Sequence, residues 1–282
     1  MLPEDQDIDL LRRAGAGDRR AQGTLVERHM PAVRRLTHAI LGSGNGQDAT
    51  QETFMRALAS LESFDPARGQ VRAWFLGIAR NVAFEALRAQ RRVELGSTGE
   101  LELFELAQGA GWGAEPTELA SPEREAMRTE TQQQLLHALA SLGPEDREVL
   151  VLRDFEGLDG EQAAALLGVD LLAMKSRLHR ARLRLMATMR SLEEGIVARD
   201  REVSGMRCSD VIAVLSDYLD GDLGATDRAR VESHVQACTV CARFGGHFAG
   251  TIEHLRARLG APPAVDPEQV AALKQRLAIF DR

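Results

Sequence analysis

Apolar positions recur at three- and four-residue steps along much of this chain, the spacing of one buried helix face. In the N-terminal block, Leu25, Val33, Leu36 and Ile40 follow that rhythm. Gly42-Ser43-Gly44-Asn45-Gly46 interrupts it, and Ala49, Phe54, Ala57, Leu58 and Leu61 resume it on a second helix. The breaker Ser63 to Gly69 follows. A third helix then carries Val71, Trp74, Phe75, Ile78, Val82 and Leu87 and ends in Arg88-Ala89-Gln90-Arg91-Arg92. Residues 1–95 therefore read as one helical domain. The stretch 96–129 is loosely patterned, with several glycines and two prolines, and reads as a flexible linker. A second helical block covers 130–192, a charged connector 193–205, and a cysteine-bearing block 206–260. In the tail 261–282, Ala261-Pro262-Pro263 stops a helix, and Pro267 can start another carrying Val270, Leu273, Leu277 and Phe280. The predicted fold class is all-α, in three small modules.

Composition sharpens that picture. Aromatic residues are only 4% of the 282, so the cores must be built from Leu, Ala, Val and Met, which favours helices. No apolar run approaches the length of a membrane span, and the start Met1-Leu2-Pro3-Glu4-Asp5 has no apolar signal core. A cytoplasmic protein with no membrane partner is expected. The net charge of −7 looks wrong for a nucleic-acid binder. However, Glu94 to Glu130 holds nine glutamates against Arg124 and Arg128, which accounts for all of it. The remaining positive charge sits in short segments, where it can act on phosphates within a Debye length.

One such segment lies between Pro144 and Arg190. Pro144 suits a first helical turn, Val149, Leu150, Leu152 and Phe155 give an apolar side, and Gly157 ends the helix. Asp159 with Gln162 forms the capping-box pattern for a second helix, Gly168 supplies a left-handed turn, and Asp170 can cap a third. On that third helix Leu171, Met174, Leu178, Ala181, Leu185 and Met189 make one apolar stripe, and the other faces carry Lys175, Arg177, Arg180, Arg182, Arg184 and Arg190 with no acid. A buried stripe backed by cations suits a recognition helix in a major groove. Lys175, Ser176 and Arg177, near its N-terminus, are the expected base readers. Arg180, Arg182 and Arg184 are expected on phosphates or in solvent.

His234-x3-Cys238-x2-Cys241 has the ligand spacing of a zinc site, and Cys208 upstream can supply a fourth ligand. That set uses all three cysteines of the chain and is favoured over His247 or His254. An odd cysteine count in a reducing compartment argues for metal over a disulfide framework. The zinc can staple a small bundle, or it can act as a redox or metal sensor, because thiolates release zinc when oxidised.

Two blocks resemble the extracytoplasmic-function sigma factors of bacterial RNA polymerase. Asp146 to Asp154 and Lys175 to Arg182 resemble that family's fourth domain, which reads the minus-thirty-five promoter element. Ala16-Gly17-Asp18, Asp48 to Phe54 and Ala73 to Asn81 resemble its second domain. The resemblance implies that Asp48, Gln51, Glu52 and Phe54 dock on core RNA polymerase. It implies that the loop at Arg68, with Trp74, Arg80, Asn81 and Arg88, engages the minus-ten element, and that Lys175, Ser176, Arg177 and Arg180 meet the minus-thirty-five element. The turn Val169 to Met174 departs from the family by lacking its small Gly-Thr pair. Residues 206–260 resemble zinc-binding anti-sigma domains, with Tyr218-Leu219-Asp220-Gly221-Asp222-Leu223 as the turn. In that family the domain wedges against a sigma factor and blocks polymerase binding.

The resemblance therefore implies a sigma factor that takes core polymerase and promoter DNA as partners, with an intramolecular sigma/anti-sigma-like contact that gates it in cis. A stand-alone helix-turn-helix regulator and a zinc-stabilised interaction scaffold are the alternatives. An enzyme is not expected, since the sequence offers neither a phosphate-cradling glycine loop nor a Ser/His/Asp set.

Overall fold

The computed structural model describes residues 3–93, 135, 138–190, 200–259 and 267–276. The expected linker at 96–129 lies outside the described residues, as do Leu277 and Phe280 of the tail. The described residues form two compact units, 3–93 with 267–276, and 135–259.

In the first unit, α1 (Pro3–Gly15), α2 (Arg19–Leu41), α3 (Ser43–Ala59) and α4 (Val71–Val93) pack on one another. Asp18 starts α2, its Oδ1 accepting from the Arg20 and Ala21 amides at 3.0 and 3.1 Å. The expected apolar faces of these helices meet in the core, where Leu25, Val33, Leu36, Ile40, Phe54, Phe75, Leu76 and Ala79 are buried. Phe75 is its hub, with Phe54 5.6 Å and His29 4.6 Å away between ring centroids. Gly46 lets α3 approach α2, because a Cβ there would sit 2.7 Å from the His38 ring. Two short 3-10 turns, Leu61–Ser63 and Pro66–Arg68, join α3 to α4. The tail helix, here α11 (Pro267–Arg276), begins at Pro267 as the sequence predicts. It packs on α2 in this unit, with Leu273 buried and Lys274 Nζ 2.6 Å from Glu27 Oε1.

The second unit holds both the helix-turn-helix and the cysteine-bearing elements. α5 (Pro144–Leu150) runs into a π turn (Val151–Phe155), followed by α6 (Gly160–Leu167) and α7 (Leu171–Arg190). The predicted punctuation is present: Asp159 and Gln162 form the capping box, Gly168 is left-handed at φ 69°, and Asp170 Oδ1 accepts from the Ala173 amide at 2.7 Å. The π turn was not expected. It accompanies burial of Val151, Leu152, Asp154 and Phe155 around nearly the whole helix, because α10 packs on it in addition to α5 and α6. Next come a hairpin of β1 (Glu202–Val203) and β2 (Met206–Arg207), then α8 (Cys208–Asp220), α9 (Ala225–Ala237) and α10 (Thr239–Leu259). The hairpin pairs Glu202 with Arg207 and Val203 with Met206. It lies partly in the expected connector, where two-residue strands leave no readable alternation. No described helix is long and apolar enough to cross a membrane.

Candidate functional site

The apolar stripe of α7 faces inward, with Met174, Leu178, Ala181 and Leu185 buried. Its cations divide in a way the sequence does not reveal. Arg180 is exposed, while Ser176 and Arg177 are half-buried. Lys175 Nζ lies 2.7 Å from Asp222 Oδ2 and 3.4 Å from Asp217 Oδ1, at the C-terminal turn of α8. Burial works against the Lys175 ammonium, but the two carboxylates outweigh it and raise its pKa. His179 Nδ1 is hydrogen-bonded to Ser216 Oγ at 3.0 Å, and burial lowers its pKa.

Arg182 corrects the expectation of a phosphate contact or solvent exposure, since its side chain is fully buried. It donates to Asp154 in the π turn at 2.6 and 3.0 Å, and to both oxygens of Asp220 at 2.9 Å. Arg256 of α10 joins the same cluster, at 2.8 Å from Asp154 and 2.7 Å from Asp220. Arg153 adds a third guanidinium, 3.6 Å from Asp220, so the two acids are neutralised around the fully desolvated Arg182–Asp154 pair, which is the condition for burying charge at tolerable cost. Burial raises the Asp220 pKa, but Arg182 and Arg256 lower it further, so its net shift is downward. Arg184 pairs with Asp146 but keeps most of its side chain in solvent, as expected. Sequence reasoning missed Ser216, Asp217 and Arg256, and placed Asp154 in a family string without its ion-pair role. The one available signal was the acidic spacing of Asp217, Asp220 and Asp222 opposite a helix with no acids of its own.

In the first unit, Asp48 is exposed and Gln51 and Glu52 are half-buried on α3. Glu52 pairs with Arg56 at 2.7 Å, and Arg56 reaches Glu85 of α4 at 2.8 Å. Phe54 does not share that surface. It is fully buried against Phe75, so its role is packing, a correction to the expected interface contact. On α4, Trp74, Asn81 and Arg88 lie seven residues apart and so share a face. Asn81 and Arg88 are exposed, and Trp74 is half-buried, edge-on to Phe64 at 5.9 Å and Phe75 at 5.0 Å. Arg80 lies over the Phe84 ring at 5.1 Å. The Arg68 side chain lies outside what the structure describes. Met30, Arg34, His38, Gln47, Thr50 and Gln51 line a small pocket together with Leu273 of α11.

The four expected metal ligands converge. Ligand atoms of Cys208, His234, Cys238 and Cys241 all lie within 4.8 Å of one another, and all four residues are buried. Cys208 Sγ is 3.7 Å from His234 Nε2 and 3.9 Å from Cys238 Sγ, and His234 Nε2 is 3.3 Å from Cys241 Sγ. A tetrahedral ion with metal–sulfur bonds of about 2.3 Å requires sulfurs about 3.8 Å apart. His234 Nδ1 faces the Val203 and Met206 carbonyls at 3.0 and 3.1 Å. That fixes the proton on Nδ1 and aims the Nε2 lone pair into the cluster, which is what the β hairpin contributes. The Cys241 amide, ahead of the other donors, lowers the Cys238 pKa. Burial and the neighbouring sulfurs raise that of Cys241. Three sulfurs and one imidazole nitrogen converging at this spacing form a tetrahedral donor set that fits a metal.

Comparison with known proteins divides the chain the same way. The Sigma-70 region 2 family matches residues 25–93, the Sigma-70 region 4 family residues 132–185, and a putative zinc-finger family residues 208–242. The RNA polymerase sigma factor CnrH of Cupriavidus metallidurans is 34% identical over 67% of this chain and 97% of its own length. The ECF RNA polymerase sigma factor SigE of Mycolicibacterium smegmatis is 31% identical over 65% of this chain and 68% of its own. The solved structure of CnrH in complex with the cytosolic domain of CnrY aligns with 67% of this chain and 99% of that one, at 28% identity and a TM-score of 0.46.

Proposed function

The chain belongs to the extracytoplasmic-function RNA polymerase sigma factors, and from that premise we propose that its own C-terminal zinc-binding segment gates it in cis. As a sigma factor it directs RNA polymerase to promoters for transcription initiation. In the proposed reading, Asp48, Gln51 and Glu52 of α3 meet core polymerase. The α4 face of Trp74, Asn81 and Arg88, with Arg80 and the Arg68 loop, holds the minus-ten strand, by stacking and by cations on its backbone. Lys175, Ser176, Arg177 and Arg180 meet the minus-thirty-five duplex.

The gating proposal is carried by one observation: elements C-terminal to the helix-turn-helix sit on residues the sigma function needs. Asp217 and Asp222 of the zinc-binding segment pair with Lys175, and Leu273 of α11 lines a pocket with Gln51, beside the proposed polymerase face. Covalent attachment raises the effective concentration of such a segment to about millimolar, so weak contacts suffice to hold it.

The metal in this reading is zinc, held by Cys208, His234, Cys238 and Cys241. A closed set of three sulfurs and one imidazole leaves no position for a substrate or water, which favours a structural ion. It ties the β hairpin, α8, α9 and the start of α10 together and so shapes the surface that meets α7.

Size-exclusion chromatography of the purified chain with core RNA polymerase tests the sigma assignment. Co-elution is expected, and separate elution under all salt conditions would contradict it. Titration of core polymerase against the full chain and a Leu273→Asp variant tests the gating.

A further inference from the structure

We propose that the turn ending α8, from Ser216 to Asp222, occupies the place of promoter DNA on α7, so that this turn and the minus-thirty-five duplex compete for Lys175 and His179. The proposal rests on the cis-gating reading and adds to it the ligand that is displaced.

Leu172, Lys175, Ser176 and His179 follow three- and four-residue steps and therefore share one face of α7. The buried stripe of Met174, Leu178, Ala181 and Leu185 is committed to the core, so a major groove meets the helix on this face and on the adjoining one that carries Ala173, Arg177 and Arg180. Two of the first face's four residues are taken. The Lys175 ammonium sits between the carboxylates of Asp222 at 2.7 Å and Asp217 at 3.4 Å. His179 is held by Ser216 at 3.0 Å. A pair of carboxylates around one ammonium offers it acceptors in the place of a phosphate's anionic oxygens or the neutral O6 and N7 of a guanine. A duplex cannot reach Lys175 while those oxygens remain in place. The rest of the surface is open, with Leu172 at the start of this face 75% exposed and Arg180 on the adjoining face exposed.

The acids of the turn have separate roles. Asp217 and Asp222 keep about a third of their side-chain surface exposed. Asp220 between them is 5% exposed and faces the fully buried Arg182. Exposed pairs are weak and screened by salt, whereas a desolvated pair is lost only at high cost. Asp220 thus anchors the turn, and Asp217 and Asp222 are the part that DNA can displace.

The test uses the full, metal-loaded chain and a fluorescently labelled pool of duplexes with a randomised central window. Anisotropy is measured across a salt series for the wild type, Asp217→Asn/Asp222→Asn, and Asp227→Asn/Glu253→Gln. The last variant removes equal charge from the same module, away from α7. The acidic-turn variant is expected to bind about five- to tenfold more tightly. Its plot of log affinity against log salt should steepen by about one, the signature of one freed phosphate-binding cation. The remote variant should keep the wild-type slope. An acidic-turn variant matching the wild type, or a remote variant with the same gain and slope, would overturn the proposal. Run-off transcription with core polymerase on the same proteins separates the two readings. Tighter DNA binding without increased transcription upholds the competition and removes cis-gating. Increased transcription without tighter DNA binding removes the competition and leaves gating to other contacts.

Discussion

Arg182 on α7 donates to both carboxylate oxygens of Asp220 at 2.9 Å, joining α7 to the last turn of α8. The pair is desolvated, with side chains 0% and 5% exposed. Removing Asp220 leaves a buried guanidinium short of one partner. Asp220→Ala should therefore destabilise the second unit by about 3 kcal/mol, measured by urea unfolding. A loss no larger than that of an exposed pair would contradict the buried-cluster account.

A second prediction concerns pH. His38 is buried between α2 and α3 with no hydrogen-bond partner on either ring nitrogen among the described residues. Burial, assisted by Arg34, holds its pKa at about 4. Gln47, Thr50, Gln51 and Leu273 face it without charge. A histidine whose pKa falls on folding contributes its full stability above its unfolded pKa near 6.5 and loses it progressively as pH drops to about 4. The first unit should lose about 3 kcal/mol across that window, and His38→Leu should flatten the profile. An unchanged profile in the variant would assign the acid sensitivity elsewhere.

Metal removal gives a third. The ligand cluster is the core of its module, with Met206, Val211 and Val231 packed around Cys208, Cys238 and Cys241. Binding free energy at such a site is largely folding free energy. Chelation, or Cys238→Ser, should release about one zinc per chain and open residues 200–259 to protease while α1 to α4 stay protected. Cobalt substitution should give the visible absorption of a tetrahedral sulfur-rich site. A chelated protein with an unchanged digestion pattern would refute a structural role.

Much of this was legible in the sequence, for reasons that also mark its limits. Asp159, Gln162, Gly168 and Asp170 punctuate the helix-turn-helix through local hydrogen bonds and a left-handed turn, which need no knowledge of the rest of the chain. The ligand spacing around His234 and Cys238 is local in the same sense. Arg182 was misread because a cation on a helix declares its register and not its partner. Asp154 and Asp220 lie 28 and 38 residues away. Phe54 was misassigned for the converse reason: α3 is short of apolar residues, and its one aromatic is needed against Phe75. The π turn has no pattern of its own, since its extra burial comes from α10, about a hundred residues later.

The C-terminal helix supplies a fourth prediction. Leu273 is buried on the first unit, and Lys274 pairs with Glu27. Leu273→Asp places a charge in that contact without altering α1 to α4. Affinity for core polymerase, measured by fluorescence titration, should rise about tenfold, or by roughly 1.4 kcal/mol. Equal affinity would remove α11 from the gating account.

The account stands most directly on run-off transcription by core RNA polymerase supplied with this protein on a genomic promoter library. Discrete promoter-dependent transcripts should appear with the full chain and increase with Leu273→Asp. If neither protein yields any transcript beyond core polymerase alone, the chain does not act as a sigma factor and the reading of both its DNA-facing helices is wrong.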